Sequence, residues 1–258
     1  MLELQKGSIW KRISAYLFDV IVISIVAMLF ATLLSWVLRY DKTLDEYNAV
    51  RGEVEAEYGV SFDIRESEYN TYDEEKKARY DAAYEALNQN QEAVRLYALL
   101  INFEFIIITA SIILAFLVME FVLPLILKEG RTLGKKIFGL AVIRPNLVRI
   151  SGPVLFIRTI LGKCVVETLI PVFVILLTAF GKGNIFLVIL LFLIPIVNLV
   201  LFFATRNHTV LHDLLSVTVV CDYQSQRIFD TEDDLIRFKE EQHAAQVDHS
   251  REEHVFDK

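Results

Sequence analysis

Charge is segregated along this chain, and that segregation limits the possible folds more than any other feature. Four windows, residues 13–38, 98–127, 164–180 and 184–204, are almost free of Asp, Glu, Lys and Arg, although 23% of the 258 residues are charged. A helix needs about 20 apolar residues to cross a bilayer, and each window meets or approaches that length, the third being the shortest. Hydrophobic residues make up 54% of the chain, above the roughly 45–50% of soluble domains even with glycine counted. A disordered chain, a collagen and a small disulfide scaffold are thereby excluded, and the composition argues against a soluble enzyme. The expected fold is all-α: a polytopic membrane protein with four transmembrane helices.

The charges between the windows orient the spans. Residues 41–95 hold 15 acids and 7 bases, residues 128–163 hold 8 bases and one acid, and residues 206–258 hold 6 bases and 12 acids. Lys and Arg in short loops mark the cytoplasmic side, whereas acids carry little weight. The basic loop 128–163 and the N-terminal segment 1–12 are therefore expected in the cytoplasm. Four spans then place the acidic insert 39–97 outside and both termini inside, at the plasma membrane. Outside the topogenic loop there is no basic stripe with interleaved aromatics, so nucleic acid is not an expected partner. Residues 13–38 exceed a signal-peptide apolar core of about 7–15 residues and contain Asp19, which reads as an uncleaved first span. Cys164 and Cys221 have no metal-ligand spacing and read as buried thiols.

Inside the insert, Leu44, Tyr47, Val50, Val54 and Tyr58 recur at steps of three and four, the mark of one helix face, with Gly59 as its C-cap. Thr71 followed by Glu74 has the form of a capping box. It would open a second helix whose stripe (Tyr80, Ala83, Leu87, Val94, Tyr97) runs unbroken into the second span. An extracytoplasmic helical hairpin is expected. In the cytoplasmic loop, 140–144 and 147–151 alternate around Pro145-Asn146 like two short strands and a turn. Residues 153–162 read as an interfacial helix bending into the third span. The β-branched run 216–220 could pair with the loop strands, giving a small cytoplasmic cap. In the polar C-terminal part, 205–258, Thr231 would cap a helix reaching about residue 246.

Ionisable side chains inside spans are expensive and are functional candidates by default. Asp19 lies seven residues beyond Arg12 and Glu120 seven before Leu127, each about 10 Å deep at 1.5 Å per residue. Asn198, six residues before Ala204, would share that layer. Glu167 stands four residues after Lys163 and could pair with it. Two acids in one layer would raise at least one pKa, which is how a proton or cation site is built. On the competing reading the cluster only fixes helix packing, with Arg12, Arg158 or Lys163 neutralising the acids.

The segment Lys11-Arg12-Ile13-Ser14-Ala15-Tyr16-Leu17-Phe18-Asp19 resembles the first-span signature of the RDD family. Gly130-Arg131-Thr132-Leu133-Gly134-Lys135-Lys136-Ile137-Phe138-Gly139 resembles its loop motif, and Leu211-His212-Asp213 with Thr218-Val219-Val220 its C-terminal element. The resemblance implies that Arg12, Asp19 and Asp213 are the name-giving residues, and that the activity is transport, most concretely cation/proton exchange. The acidic insert and polar tail depart from the family pattern. In the loop motif, Gly130, Gly134 and Gly139 would permit a tight return, Lys135 and Lys136 would meet lipid phosphates, and Thr132 completes the motif. A phosphate-binding P-loop is absent. His208 and His212 beside Asp213 have helix spacing for a metal, but packing is the simpler reading.

The resulting expectation is a transporter of a small cation or proton-coupled solute, not an enzyme. Asp19, Glu120, Asn198 and Glu167 would bind the ion, while Arg12, Asp213, Arg158 and Lys163 would gate or neutralise. No cofactor and no resident metal are expected. The alternative is a non-transporting scaffold that recruits a protein partner, or a second copy of itself, through the insert or the tail.

Overall fold

The computed structural model describes residues 3–127 and 130–256, with side chains through residue 246; Lys128 and Glu129, at the start of the basic loop, lie outside the described residues, as do the side chains of His249 and His254. Four helices are long and apolar enough to cross a membrane: α1 (Ile9–Leu38), α5 (Gln91–Leu127), α7 (Gly152–Lys182) and α8 (Ile185–Ala204). Between them lie α2 (Tyr40–Tyr58), α3 (Glu66–Tyr69), α4 (Glu74–Gln89), α6 (Leu133–Ile137), β1 (Leu140–Ile143), α9 (Leu211–Leu215), β2 (Val219–Asp222) and α10 (Glu232–Phe256). The chain forms two compact units: Met28–Ser111, and the remainder up to Ala27 and from Ile112 on.

The first unit contains the hairpin. Val54 of α2 is buried with Ala83 and Leu87 of α4 and Ala93 of α5, and Tyr47, Val50, Tyr58 and Phe62 pack around them. α2 ends at Gly59, whose φ of 63° allows its N–H to reach Glu55 O. α4 is capped not by Thr71 but by Asp73, whose Oδ1 accepts from Lys76 N at 2.8 Å. A carboxylate directly before Glu74 is already in register for the first free amides. Nor does α4 run on into the second span. Asn90 is extended, and its Oδ1 accepts from Glu92 N and Ala93 N at 3.0 and 3.1 Å. A short amide side chain that can bond to backbone two and three residues on favours a cap over helix continuation.

In the other unit the expected strand pairing changes. β1 pairs antiparallel with β2, Leu140 opposite Asp222 and Ile143 opposite Val219, while the segment after Pro145-Asn146 forms no strand and contributes the isolated bridges Ile143–Arg149 and Val148–Phe229. The physical reason is burial on both faces. Leu140, Val142 and Val220 pack on Ala15 of α1. Ala141, Ile143 and Val219 pack on Leu147, Phe229 and Leu235. Thr231 and Asp234 form a reciprocal cap on α10, which continues to Phe256.

The region 153–162 is not a separate interfacial helix, because α7 runs unbroken from Gly152 through it and departs from helical φ/ψ only at Phe180 and Gly181, near its far end. Pro153 falls in the first turn, where its missing N–H costs nothing. Residues 157–169 wind as a π-helix that ends just before Pro171, with Ile170 N–H reaching Val165 O. In α5 a π-turn over 117–122 likewise precedes Pro124, with Leu123 N–H reaching Val118 O. Each stretch widens the helix where a proline is about to remove a donor.

Candidate functional site

Asp19, the acid of the first-span motif, is held by the loop motif. Asp19 Oδ2 accepts from Thr132 Oγ1 at 2.5 Å, and Oδ1 accepts from Gly134 N at 2.8 Å. Lys135 Nζ lies 3.8 Å from Asp19 Oδ2 and donates to Thr132 Oγ1 at 3.2 Å. Thr132 also caps α6, its Oγ1 accepting from Lys135 N. Gly134 makes this approach possible: a Cβ there would collide with Ala15 O and stand 2.9 Å from Asp19 Oδ1. Gly130 and Gly139 serve the return differently, with φ of 58° and 66°. Lys135 is 8% exposed, so it faces Asp19 and not lipid phosphates; Lys136 stays exposed. Burial lowers the Lys135 pKa to about 8, despite the opposing pull of Glu120 and Asp19.

Glu120 does not bond to Asp19. The π-turn of α5 aims it at the π-stretch of α7, where Lys163 Nζ donates to its Oε1. Its fully buried Oε2 has no hydrogen-bond partner among the described residues. The expected Lys163–Glu167 pair is therefore replaced. In the widened helix Thr168, five residues on, sits over Lys163 and donates to its carbonyl at 2.9 Å. The common layer of Asp19, Glu120 and Asn198 resolves into three separate attachments, with Lys135 feeling both acids.

Asp213, the acid of the C-terminal motif, sits on α9. Arg158 donates to its Oδ1 from Nε at 3.1 Å and Nη2 at 2.6 Å, and Arg12 Nη2 lies 3.8 Å from Oδ2. Burial alone would raise this carboxyl, but Arg158 foremost holds it well below its ordinary range. Arg12 also donates to Asn207 O at 3.0 Å and lies over the Phe202 ring. The first amides of α9, which have no partner within the helix, are taken by the spans. Leu211 N donates to Asn198 Oδ1 at 2.8 Å and His212 N to Glu167 Oε1 at 3.1 Å. Asp213 Oδ2 accepts from Val210 N at 3.4 Å. Asn198 and Glu167, candidate ion ligands by sequence, thus hold α9 in place.

Composition and spacing alone missed two further members. His212 Nδ1 lies 2.9 Å from Glu167 Oε2, and burial, outweighing both neighbouring acids, lowers its pKa. Thr218 Oγ1 accepts from Arg158 Nε at 3.3 Å. Both residues lie in the C-terminal motif, which was the available signal. His208 bonds Phe202 O instead of joining them, and among the described residues no group of three His, Cys, Asp or Glu is placed to hold a metal ion. Cys164 and Cys221 are buried free thiols.

Above these pairs lies a cavity of about 480 Å³ between α1, α8 and α9, with Asp19, Lys135, Arg158 and Asp213 in its charged floor and Ile194 and Phe202 in its apolar wall. The arrangement can hold opposite charges out of water and exchange their partners. No curated protein and no solved structure matches the chain. The model of the RDD family matches residues 6–217, which include the first-span motif, the loop motif and Leu211-His212-Asp213. The chain belongs to the RDD family of membrane proteins.

Proposed function

We propose that this multi-pass protein is a carrier, not an enzyme, and exchanges a monovalent cation for a proton across the plasma membrane, with the basic loop and both termini in the cytoplasm. The observation that carries the reading is Asp19 in the cavity floor, faced by a lysine whose ammonium burial has made acidic. With Lys135 charged, Asp19 is neutralised and has no use for a cation. When Lys135 Nζ gives its proton to water in the cavity, the Asp19 carboxylate and Thr132 Oγ1 are left as oxygen donors for a hard cation. Binding of the cation and of the proton are then mutually exclusive, which is the requirement for exchange. Arg12 and Asp213 close the floor beside this pair.

The test uses proteoliposomes with a pH dye inside and an imposed Na⁺ or K⁺ gradient. The parent chain moves protons against the cation, with activity rising as pH passes about 8, the Lys135 value. Asp19→Asn abolishes the signal. Lys135→Met removes the alkaline activation because no group is left to discharge. Transport by Asp19→Asn equal to the parent would sink the reading.

A further inference from the structure

A second feature of the same unit is not used by exchange. The cavity opens sideways between α1 and α8, where its lips are Ile13 and Tyr16 on one side and Leu199 and Phe203 on the other. These are 40%, 57%, 60% and 68% exposed, on helices apolar enough to span a membrane. The lips therefore face acyl chains. At the end of the cleft, where α1 begins and α8 ends, three cations gather on one short segment. Lys6 Nζ donates to Arg206 O at 2.7 Å and Arg12 Nη1 to Asn207 O at 3.0 Å. Arg206 itself is exposed. Among the described residues neither Lys6 nor Arg206 has an acid within ion-pair distance, and the single acid facing Arg12, at 3.8 Å, is engaged by Arg158 at 2.6 Å. Trp10, 78% exposed on the first turns of α1, marks the headgroup level at which indoles settle.

A charged mouth at the interface, continuous with an apolar slot open to lipid, has the polarity of an amphiphile with an anionic head. We propose that this cleft holds one acyl chain of an anionic phospholipid from the leaflet on the loop side, its phosphate resting among Lys6, Arg12 and Arg206. A soluble anion would leave the slot unfilled, and a zwitterionic lipid would bring a fourth cation to a mouth that already has three. The lipid would sit directly over the Asp213–Arg158–Arg12 cluster and seal the charged floor from the bilayer.

Binding is measured on the full purified chain in detergent, by native mass spectrometry and thermal shift, without an ion gradient, so the result stands whether or not exchange is observed. Dioleoyl phosphatidylglycerol is retained and raises Tm, whereas dioleoyl phosphatidylcholine and glycerol 3-phosphate, the headgroup without chains, do neither. The double variant Lys6→Gln/Arg206→Gln lowers phosphatidylglycerol affinity about twenty-five-fold, at roughly fivefold per cation near a bilayer surface. Leu199→Trp fills the slot and removes the phosphatidylglycerol shift. Should that variant fail to fold, the double variant decides. Equal retention of the two lipids, a full shift from glycerol 3-phosphate, or unchanged affinity of the double variant would overturn the proposal.

Discussion

Asp213 shows how narrowly a buried charge must be matched. Arg158 is 2% exposed and Asp213 1%, so removing one leaves the other uncompensated in a poorly polarisable interior. Asp213→Ala is expected to destabilise the unit by about 3–5 kcal/mol, whereas an apolar replacement of both partners, Arg158→Met with Asp213→Leu, recovers much of the loss. Denaturation followed by tryptophan fluorescence checks the pair. Lys135 carries a pH signature of its own. Its folded pKa of about 8 lies below the ordinary 10.5, so between those values the unfolded chain binds more protons and stability rises with pH. Below about pH 8 both states are protonated and the full penalty is present. Thermal melts from pH 7 to 10.5 should show the rise in the parent and lose it in Lys135→Met. The acids were legible in the sequence because charge inside an apolar window stands out; their partners were not, because Lys135, Lys163 and Arg158 could each have reached several acids.

Short elements close to the membrane helices are positioned by absent side chains as much as by present ones. A Cβ at Gly162 would stand 2.6 Å from His212 Cβ and 2.9 Å from its Cα. Gly162→Ala must therefore push α9 off α7, costing about 1–3 kcal/mol and loosening the Glu167–His212 contact. Amide hydrogen exchange at Leu211 and His212 reads the loosening directly. In the hairpin, Asn90→Ala removes the side-chain cap at the start of α5, while the backbone N–H that closes α4 stays, and should cost about 1 kcal/mol, seen as a lower thermal midpoint. Periodicity located α2 and α4 because an amphipathic stripe repeats over many residues. It missed the break at Asn90, because a cap is one side chain, and it left open which loop strand the run 216–220 would join, because a four-residue strand has no preferred partner until the chain has folded.

The contacts of Asp19, Glu120, Asp213 and Glu167 described above all lie in the unit that excludes Met28–Ser111. The acidic hairpin has its own buried seam around Val54, Ala83 and Leu87. Replacing residues 44–86 by a Gly/Ser linker should therefore leave the proton signal in proteoliposomes intact. Loss of the signal with normal membrane insertion would bring the hairpin into the mechanism.

By itself the sequence determined the class of solvent, the number of spans and the family, because these follow from apolar length and from motifs carried on contiguous residues. Only the tertiary structure decided which cation neutralises which acid, that Asn198 and Glu167 hold a helix start, and that the third membrane helix begins at Gly152, well ahead of its apolar core. Those outcomes depend on distances between residues far apart in the chain. They are set by π-turns and by glycine contacts, which leave no periodic trace in the sequence.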